Sequence, residues 1–420
     1  MSTGETDLDG ESDSSYRTLR SALALLAGYA LLITGNGLLC ILIALRLIQE
    51  HASPFVAGVV QSAYYVGFVL GATLGSSLIQ RIGHHRAFIA FAALSACCVP
   101  VYPMSGELSL WFALRLLMGF SLMVVFTAME SWLHQTVTNS QRCRMFSAYM
   151  ITNYLGLSAG QLLASLASPA SFELFGGASV LFAASVIPVA LTGQAQRHVP
   201  SHNAFGARDR SQFMHGLLGV QAVYRRAPLA VVACLAAGLF NSAFCSMQPA
   251  FLRLHNYPLA EVSNFMGFAL LAALLSQWPI ARLADQWDRR KVLFFLAVAS
   301  EAFSMLLVSL KPGALMEACG YLYVGAAFSM YGVITSYVND HTPNDQRIAV
   351  SAGLLLIFSL GASGGPMLAS TAMGMVGPAG LYLFSATTAG MLAVLTLCSL
   401  ARNKSLSNPR QERSQRRLAR

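Results

Sequence analysis

The sequence predicts an all-α membrane protein, with twelve transmembrane helices in two pseudo-symmetric six-helix bundles, and three observations lead there. Of 420 residues, 55% are apolar and 11% charged, with a mean hydropathy of +0.56. That leaves too little polar surface for a chain of this size to dissolve in water. Windows of about 19 residues, enough to cross a hydrocarbon layer of about 30 Å, find twelve apolar segments. The second half also repeats the first at one offset of 205 residues, without a gap. At that offset Asn36 falls on Asn241, Gln80 on Asp285, and His84-His85-Arg86 on Arg289-Arg290-Lys291. Asn139-x-Gln141-Arg142 falls on Asn344-x-Gln346-Arg347, and Gly156-x-Ser158-x-Gly160 on Gly361-x-Ser363-x-Gly365. Parallel repeats that cross a bilayer imply a duplicated membrane bundle.

The elements follow in order. Residues 1–20 carry Glu5, Asp7, Asp9, Glu11 and Asp13 among Ser and Gly, a composition expected to give a disordered cytoplasmic tail; it lacks the positive start of a signal peptide. The first bundle, 21–193, holds helices at 21–47, 54–79, 87–104, 109–133, 146–167 and 174–193. The stretch 194–228, rich in Arg, His, Ser and Gln, reads as a central cytoplasmic loop. The second bundle, 229–400, holds helices at 229–252, 260–281, 292–310, 314–338, 348–370 and 377–400. The basic tail 401–420 is expected to lie against anionic headgroups or to be disordered.

Lys and Arg resist translocation. With the amino terminus inside, the inner segments hold 23 of the 27 Lys and Arg, against Arg46, Arg253 and Lys311 outside and Arg115 within a helix. Both termini are therefore expected in the cytoplasm. The net charge of +9 is a topology signal that asks for no nucleic acid. Seven of the eight cysteines lie in apolar segments and Cys143 in an inner loop, without metal-ligand spacing, so they read as packing residues.

Four groups of residues carry the chemistry. The loop after the second helix, Gln80-Arg81-Ile82-Gly83-His84-His85-Arg86, has its copy in Asp285-Gln286-Trp287-Asp288-Arg289-Arg290. Acids near helix ends beside bases can latch one packing of the bundle through charge-assisted bonds, and a bare topology anchor is the plain alternative. Arg115, Arg81, Arg86, Glu130, Asp285, Arg289, Arg290 and Asp340 are the candidates for coupling or gating. In the fourth helix Arg115 and Glu130 are about 22 Å apart at ~1.5 Å per residue, so they need different partners. A charge in a spanning helix costs ~2.5–3.5 kcal/mol on insertion scales and tends to face the bundle interior; snorkelling of Arg115 to the outer headgroups is the alternative. Glu130, near the inner end, is expected to pair with Arg81 or Arg86. Asn36 and Asn241, in Thr34-Gly35-Asn36-Gly37 and Phe240-Asn241-Ser242, suggest loosened helices turning an amide toward a cavity, or else ordinary interhelical bonds. Gln61, Tyr64, Asn153, Tyr154, Ser246, Gln248 and Tyr331 are further cavity candidates. The two Gly-x-Ser-x-Gly runs imitate a hydrolase nucleophile elbow but lie inside apolar helices, where small residues mark close helix contacts.

The loop resembles the signature G-x-L-x-D-R-x-G-R-R of the major facilitator superfamily. Arg81 and Gly83 match it, while Ser76, Gln80 and His84-His85 depart; the second copy keeps the acid Asp285 and the pair Arg289-Arg290. Arg115-x-x-x-Gly119 resembles that family's fourth-helix motif, whose arginine is implicated in proton coupling or substrate contact. Gly160-Gln161 stands where many drug-proton antiporters have Gly-Pro. Gly83-His84-x-Arg86-Ala87-Phe88, Glu130-Ser131-Trp132-Leu133, Gly160-Gln161-Leu162-Leu163 and Gln277-Trp278-Pro279-Ile280 resemble the YcaD-like branch of bacterial inner-membrane facilitators.

The resemblance implies alternating access, with halves 1–193 and 229–400 rocking about a midplane site lined by helices 1, 4, 7 and 10. It implies a transport role and leaves the solute and direction open; the function expected on this reading is a small-molecule solute moved with protons across the inner membrane by a monomer without a cofactor. A transporter-like sensor that binds a ligand without carrying it is the rival reading. An enzyme is not expected, since the sequence offers no metal-ligand cluster and no nucleophile with a base.

Overall fold

The computed structural model describes residues 5–136, 142–169, 171–191, 219–340, 342–343 and 346–418. Among the described residues twelve long helices follow the predicted order. The first six are α1 (Glu5–Gln49), α2 (Pro54–Ile82), α3 (His84–Cys98), α4 (Leu108–Thr136), α5 (Arg142–Leu163) and α6 (Phe172–Ala190). The second six are α7 (Pro228–Leu254), α8 (Leu259–Gln286), α9 (Arg289–Ser309), α10 (Ala314–Asp340), α11 (Arg347–Val376) and α12 (Gly380–Leu418). A one-turn helix, Val101–Met104, prolongs α3. No strand occurs among the described residues.

Among the described residues eleven helices are long and apolar enough to cross a membrane. The exception is α5, which has the length at 22 residues but carries Arg142, Arg144, Thr152, Asn153 and Gln161. Two of its polar positions bond inside the protein, Thr152 to the Ala148 carbonyl at 2.8 Å and Asn153 to the Tyr29 hydroxyl at 2.7 Å, while Arg144 is exposed. Beyond the apolar runs, α1 reaches back to Glu5 and α12 on to Leu418, so helical backbone occupies most of the two segments expected to be disordered or lipid-bound tails. Extending an existing helix adds one hydrogen bond per residue fixed and needs no new nucleus. Asn139, Gln141 and Asn344 of the repeated motif, and 194–218 of the central loop, lie outside the described residues.

Local chemistry sets the helix ends. The Ser53 hydroxyl accepts from the Val56 N–H at 3.4 Å, and Pro54 opens α2 where a missing N–H costs nothing. Gly83 ends α2 at φ 88°, a conformation a side chain would strain, and α3 starts on the next residue. Asp288 caps α9, its carboxylate accepting from the Arg290 N–H at 2.9 Å.

Backbone contacts divide the chain into two units. One comprises Met1–Phe213 with Gln248–Leu271, and the other Met214–Met247 with Ala272–Arg420. The boundary thus differs from the expected halves, because the end of α7 and the start of α8 group with the first six helices. There the Ser158 hydroxyl of α5 donates to the Gly267 carbonyl of α8 at 2.9 Å. In the first unit α2 packs on α4, α1 on α5 and α6, and α3 on α4 and α6. In the second, α9 packs on α10 and α12, and α11 on α12.

The repeat holds at the level of contacts. A Cβ on Gly160 would overlap the Thr34 carbonyl of α1, and 205 residues on, a Cβ on Gly365 would meet the Leu239 carbonyl of α7 at 2.6 Å. A Cβ on Gly156 would overlap the Ile33 side chain, whereas its counterpart Gly361 presses on the Leu235 carbonyl. The glycines of both Gly-x-Ser-x-Gly runs therefore mark close helix contacts, with backbone opposite Gly160, Gly361 and Gly365 and a side chain opposite Gly156. The Ser363 hydroxyl is spent on the Ser359 carbonyl at 2.8 Å.

Candidate functional site

The site grows from the seam between α2 and α4. A Cβ on Gly119 would overlap the Tyr64 carbonyl, and one on Gly67 the Leu116 carbonyl, so two glycines let the helices touch backbone to backbone. This proximity carries Gln61 and Tyr64 to Arg115. Arg115 is 2% exposed; its Nη2 donates to Gln61 Oε1 at 2.6 Å, and its guanidinium lies 4.5 Å from the centre of the Tyr64 ring. Such stacking is worth about 2 kcal/mol or more once desolvated. The Tyr64 hydroxyl in turn donates to Asn36 Oδ1 at 3.5 Å, and the Cys40 thiol donates to the same oxygen at 3.7 Å. Arg115 is thus held within the first unit by its own partners.

Glu130, at the other end of α4, is half-buried and accepts from the Tyr149 hydroxyl at 3.3 Å. Its described partner is that phenol of α5, in place of the expected Arg81 or Arg86. Those two arginines are exposed, Arg81 in the last turn of α2 and Arg86 in the first turn of α3, while α5 lies close enough to supply a donor. The Tyr149 ring stands 4.7 Å from Tyr29, whose hydroxyl donates to Asn153 Oδ1 at 2.7 Å. An aromatic row joins the two charges: Tyr64 to Phe68 at 5.1 Å, Phe68 to Phe126 at 5.6 Å and Phe126 to Tyr29 at 5.9 Å. Of the candidate residues, Asn36, Gln61, Tyr64, Arg115, Glu130 and Asn153 therefore share one polar and aromatic system. Gln248 is fully buried in the same unit.

The second unit holds the other candidates. Arg289 Nε bonds Asp340 Oδ2 at 2.7 Å, and its Nη2 reaches Asp285 Oδ1 at 3.6 Å. This joins the start of α9 to the ends of α8 and α10. Arg290 turns instead to Asp288, with Nη2 to Oδ2 at 3.1 Å. Burial by itself would raise the Asp288 carboxyl, but the side-chain and backbone bonds from Arg290 outweigh it and hold the group below its ordinary value. Asn241 is half-buried, and Tyr331 packs edge-on to Phe358 at 5.0 Å.

Tyr29, Tyr102 and Tyr149 were not among the sequence candidates. A tyrosine in an apolar helix carries a hydroxyl that needs a partner once buried, which is a readable but weak signal. Glu301, midway along α9, was also missed although it carries the same signal as Arg115. It lies against Gly390 of α12, where an added Cβ would come within 2.9 Å of its carboxylate. Among the described residues no three His, Cys, Asp or Glu side chains gather as metal ligands.

Two bundles of spanning helices with polar groups directed inward are the build of a membrane transport protein. The Major Facilitator Superfamily profile matches residues 25–345 and 256–419, and the chain belongs to that family. It is similar to the MFS-type transporter YcaD of Escherichia coli O7:K1 (strain IAI39 / ExPEC), 28% identical over 357 residues that cover 84% of this chain and 89% of the relative. The YcaD of strain S88 (O45:K1) matches at 27% over the same coverage. Among solved structures, the nucleoside transporter NupG superposes with a TM-score of 0.75 at 15% identity, covering 90% of this chain and 98% of the other. A bacterial homologue of the human lysosomal transporter Spinster, inward-facing and unoccupied, gives 0.71 at 13% identity, with 92% and 96% covered. The last two likenesses concern the fold.

Proposed function

We propose that this protein is a monomeric secondary active transporter, which moves a small solute across the bacterial inner membrane by alternating access coupled to protons. One observation carries the reading: α4 presents a buried cation and a half-buried acid, neither paired with an opposite charge among the described residues. Ionisable groups inside a membrane bundle are costly and mark pathways for substrate or protons. Glu130 takes the proton, with Tyr149 donating to its carboxylate while it is charged. Arg115 keeps its charge in every state and acts on whatever charge comes near. Asn36, Gln61 and Asn153 offer amides to the solute. The bases and acids around Arg289 latch the inner face, the termini lie in the cytoplasm, and no bond of the solute is made or broken.

Purified protein in proteoliposomes, screened for counterflow against a panel of labelled metabolites, tests this reading. Exchange of a labelled solute in the absence of a gradient is the expected result. Arg115→Ala and Glu130→Gln should then lose accumulation driven by an imposed pH gradient while keeping the parent's expression and melting temperature. Thermal stabilisation by a solute that never exchanges would instead make the protein a sensor. Well-folded variants that respond to the gradient like the parent would remove protons from the mechanism.

A further inference from the structure

Around Arg115 the donors outnumber the acceptors. The Nη2 bond to Gln61 is its one hydrogen bond, and Nε and Nη1 are buried with no partner. The Tyr102 hydroxyl, at the end of the one-turn helix after α3, is likewise fully buried and unpartnered. Both side chains flank Trp111, against which the Tyr102 ring packs and which precedes Arg115 by four residues, about one turn, on α4. Two amide acceptors of this cluster are in use, Gln61 Oε1 by Arg115 itself and Asn36 Oδ1 by Tyr64 and Cys40. Trp111 closes one side, its ring 5.6 Å from Tyr102 and its N–H spent on the Ser105 carbonyl at 2.8 Å. No carboxylate of the described residues forms an ion pair with the guanidinium. A buried charge without a counter-charge is among the most expensive groups a fold can hold. Three unpartnered donor atoms around it would be satisfied by a negatively charged acceptor.

We propose that Arg115 and Tyr102 form the donor side of an anion site in the first unit, and that it takes a small singly charged anion. That anion is the carboxylate of the solute or free chloride. The carboxylate source rests on the transporter reading above; the chloride source does not. The site is about 10 Å below the outer end of α4 at ~1.5 Å per residue, so the anion approaches from the outer half of the bundle.

The test uses the full chain in nanodiscs, with sodium isethionate as a bulky reference salt at constant ionic strength, titrated with chloride, bromide or acetate. The readouts are melting temperature and Trp111 fluorescence, the latter in a background where Trp132, Trp278 and Trp287 are Phe. Parent protein should show a saturable rise in melting temperature, as expected for a ligand that binds the folded state, and bromide should quench Trp111 with the same midpoint. Arg115→Gln should weaken the midpoint at least about tenfold, and Tyr102→Phe severalfold, as fits the loss of bonds to a charged group. Gln61→Glu places a carboxylate against the guanidinium and should raise the melting temperature while cancelling the anion response. It also keeps the test decisive if Arg115→Gln does not fold.

Saturation by acetate without chloride identifies the solute's carboxylate, and saturation by chloride a bound halide. A parent with no saturable response to any of these anions, or a Gln61→Glu protein that responds like the parent, overturns the site. Counterflow that persists without an anion response removes the anion site alone. An anion response without counterflow removes the carrier and leaves the site.

Discussion

Replacing Gly119 by alanine should reverse the sign expected from helix chemistry. In a free helix the exchange is worth about 1 kcal/mol in favour of alanine. Here the new methyl would fall on the Tyr64 carbonyl, so α2 must move away from α4. Overpacking of this kind costs about 1–3 kcal/mol. Moving α2 also pulls Gln61 and Tyr64 from Arg115, lengthening a 2.6 Å bond and a 4.5 Å stack. The desolvated stack alone is worth about 2 kcal/mol. The net expectation is a loss of about 2–4 kcal/mol, with packing and stacking costs outweighing the gain in propensity. Gly332 of α10 is the control, since nothing lies within 4 Å of an added Cβ there; Gly332→Ala should be neutral or stabilising by up to about 1 kcal/mol. Thermal unfolding of both variants in the same detergent, followed by intrinsic fluorescence, measures the difference. A Gly119→Ala protein as stable as the parent or more so would show that the α2–α4 contact does not depend on bare backbone.

Asp340→Asn removes the shorter of the two bonds to Arg289, between side chains 51% and 20% exposed. Pairs this open are worth about 0.2–1 kcal/mol, so it should shift the inner-face equilibrium no more than about fivefold. Maleimide labelling of a single cysteine at position 287 should rise accordingly, and 1 M salt should remove the difference. Ser158→Ala gives up the bond to Gly267 and should cost about 0.6 kcal/mol, at most ~1.7, in melting experiments. Cysteines placed at 106 and 171 in a Cys-free background should react with impermeant thiol reagents from outside and one at 287 only after permeabilisation; the opposite pattern would invert the topology. Asp288 is held below its ordinary value when folded, so its contribution to the α9 cap is present above the unfolded pKa and lost as pH falls through the folded one. Acid should therefore destabilise the parent more than Asp288→Asn, as thermal melts across pH would show.

The spans other than α5 were legible because each is an apolar run of membrane length. The repeat was legible because glycines and charges recur at one offset. Arg115 and Glu130 stood out since a charge is rare in such runs, and their distance along one helix already required separate partners. What the sequence hid is which residue faces which. Glu130 was expected to meet an arginine on charge alone, but α5 carries Tyr149 to it, and nothing in a linear pattern reports that approach. Gln61 and Tyr64 were marked only as polar side chains in an apolar helix. Their contact with Arg115 depends on Gly67 and Gly119 meeting the backbone opposite, a property of two helices at once.

The glycine seams have one more consequence. Gly37 of α1 and Gly160 of α5 bring these two helices backbone to backbone, and Ser158, on the opposite face of α5 from Gly160, grips α8. A seam of backbone against backbone has no rotamers to exchange, so it offers no slack. If the proposed cycle releases the grip on α8, α5 must carry α1 with it as one stiff lever. The amides of Asn36 and Asn153 and the phenol of Tyr29 then travel together, and the play that a conformational cycle demands has to come from seams lined by side chains, such as α3 on α6.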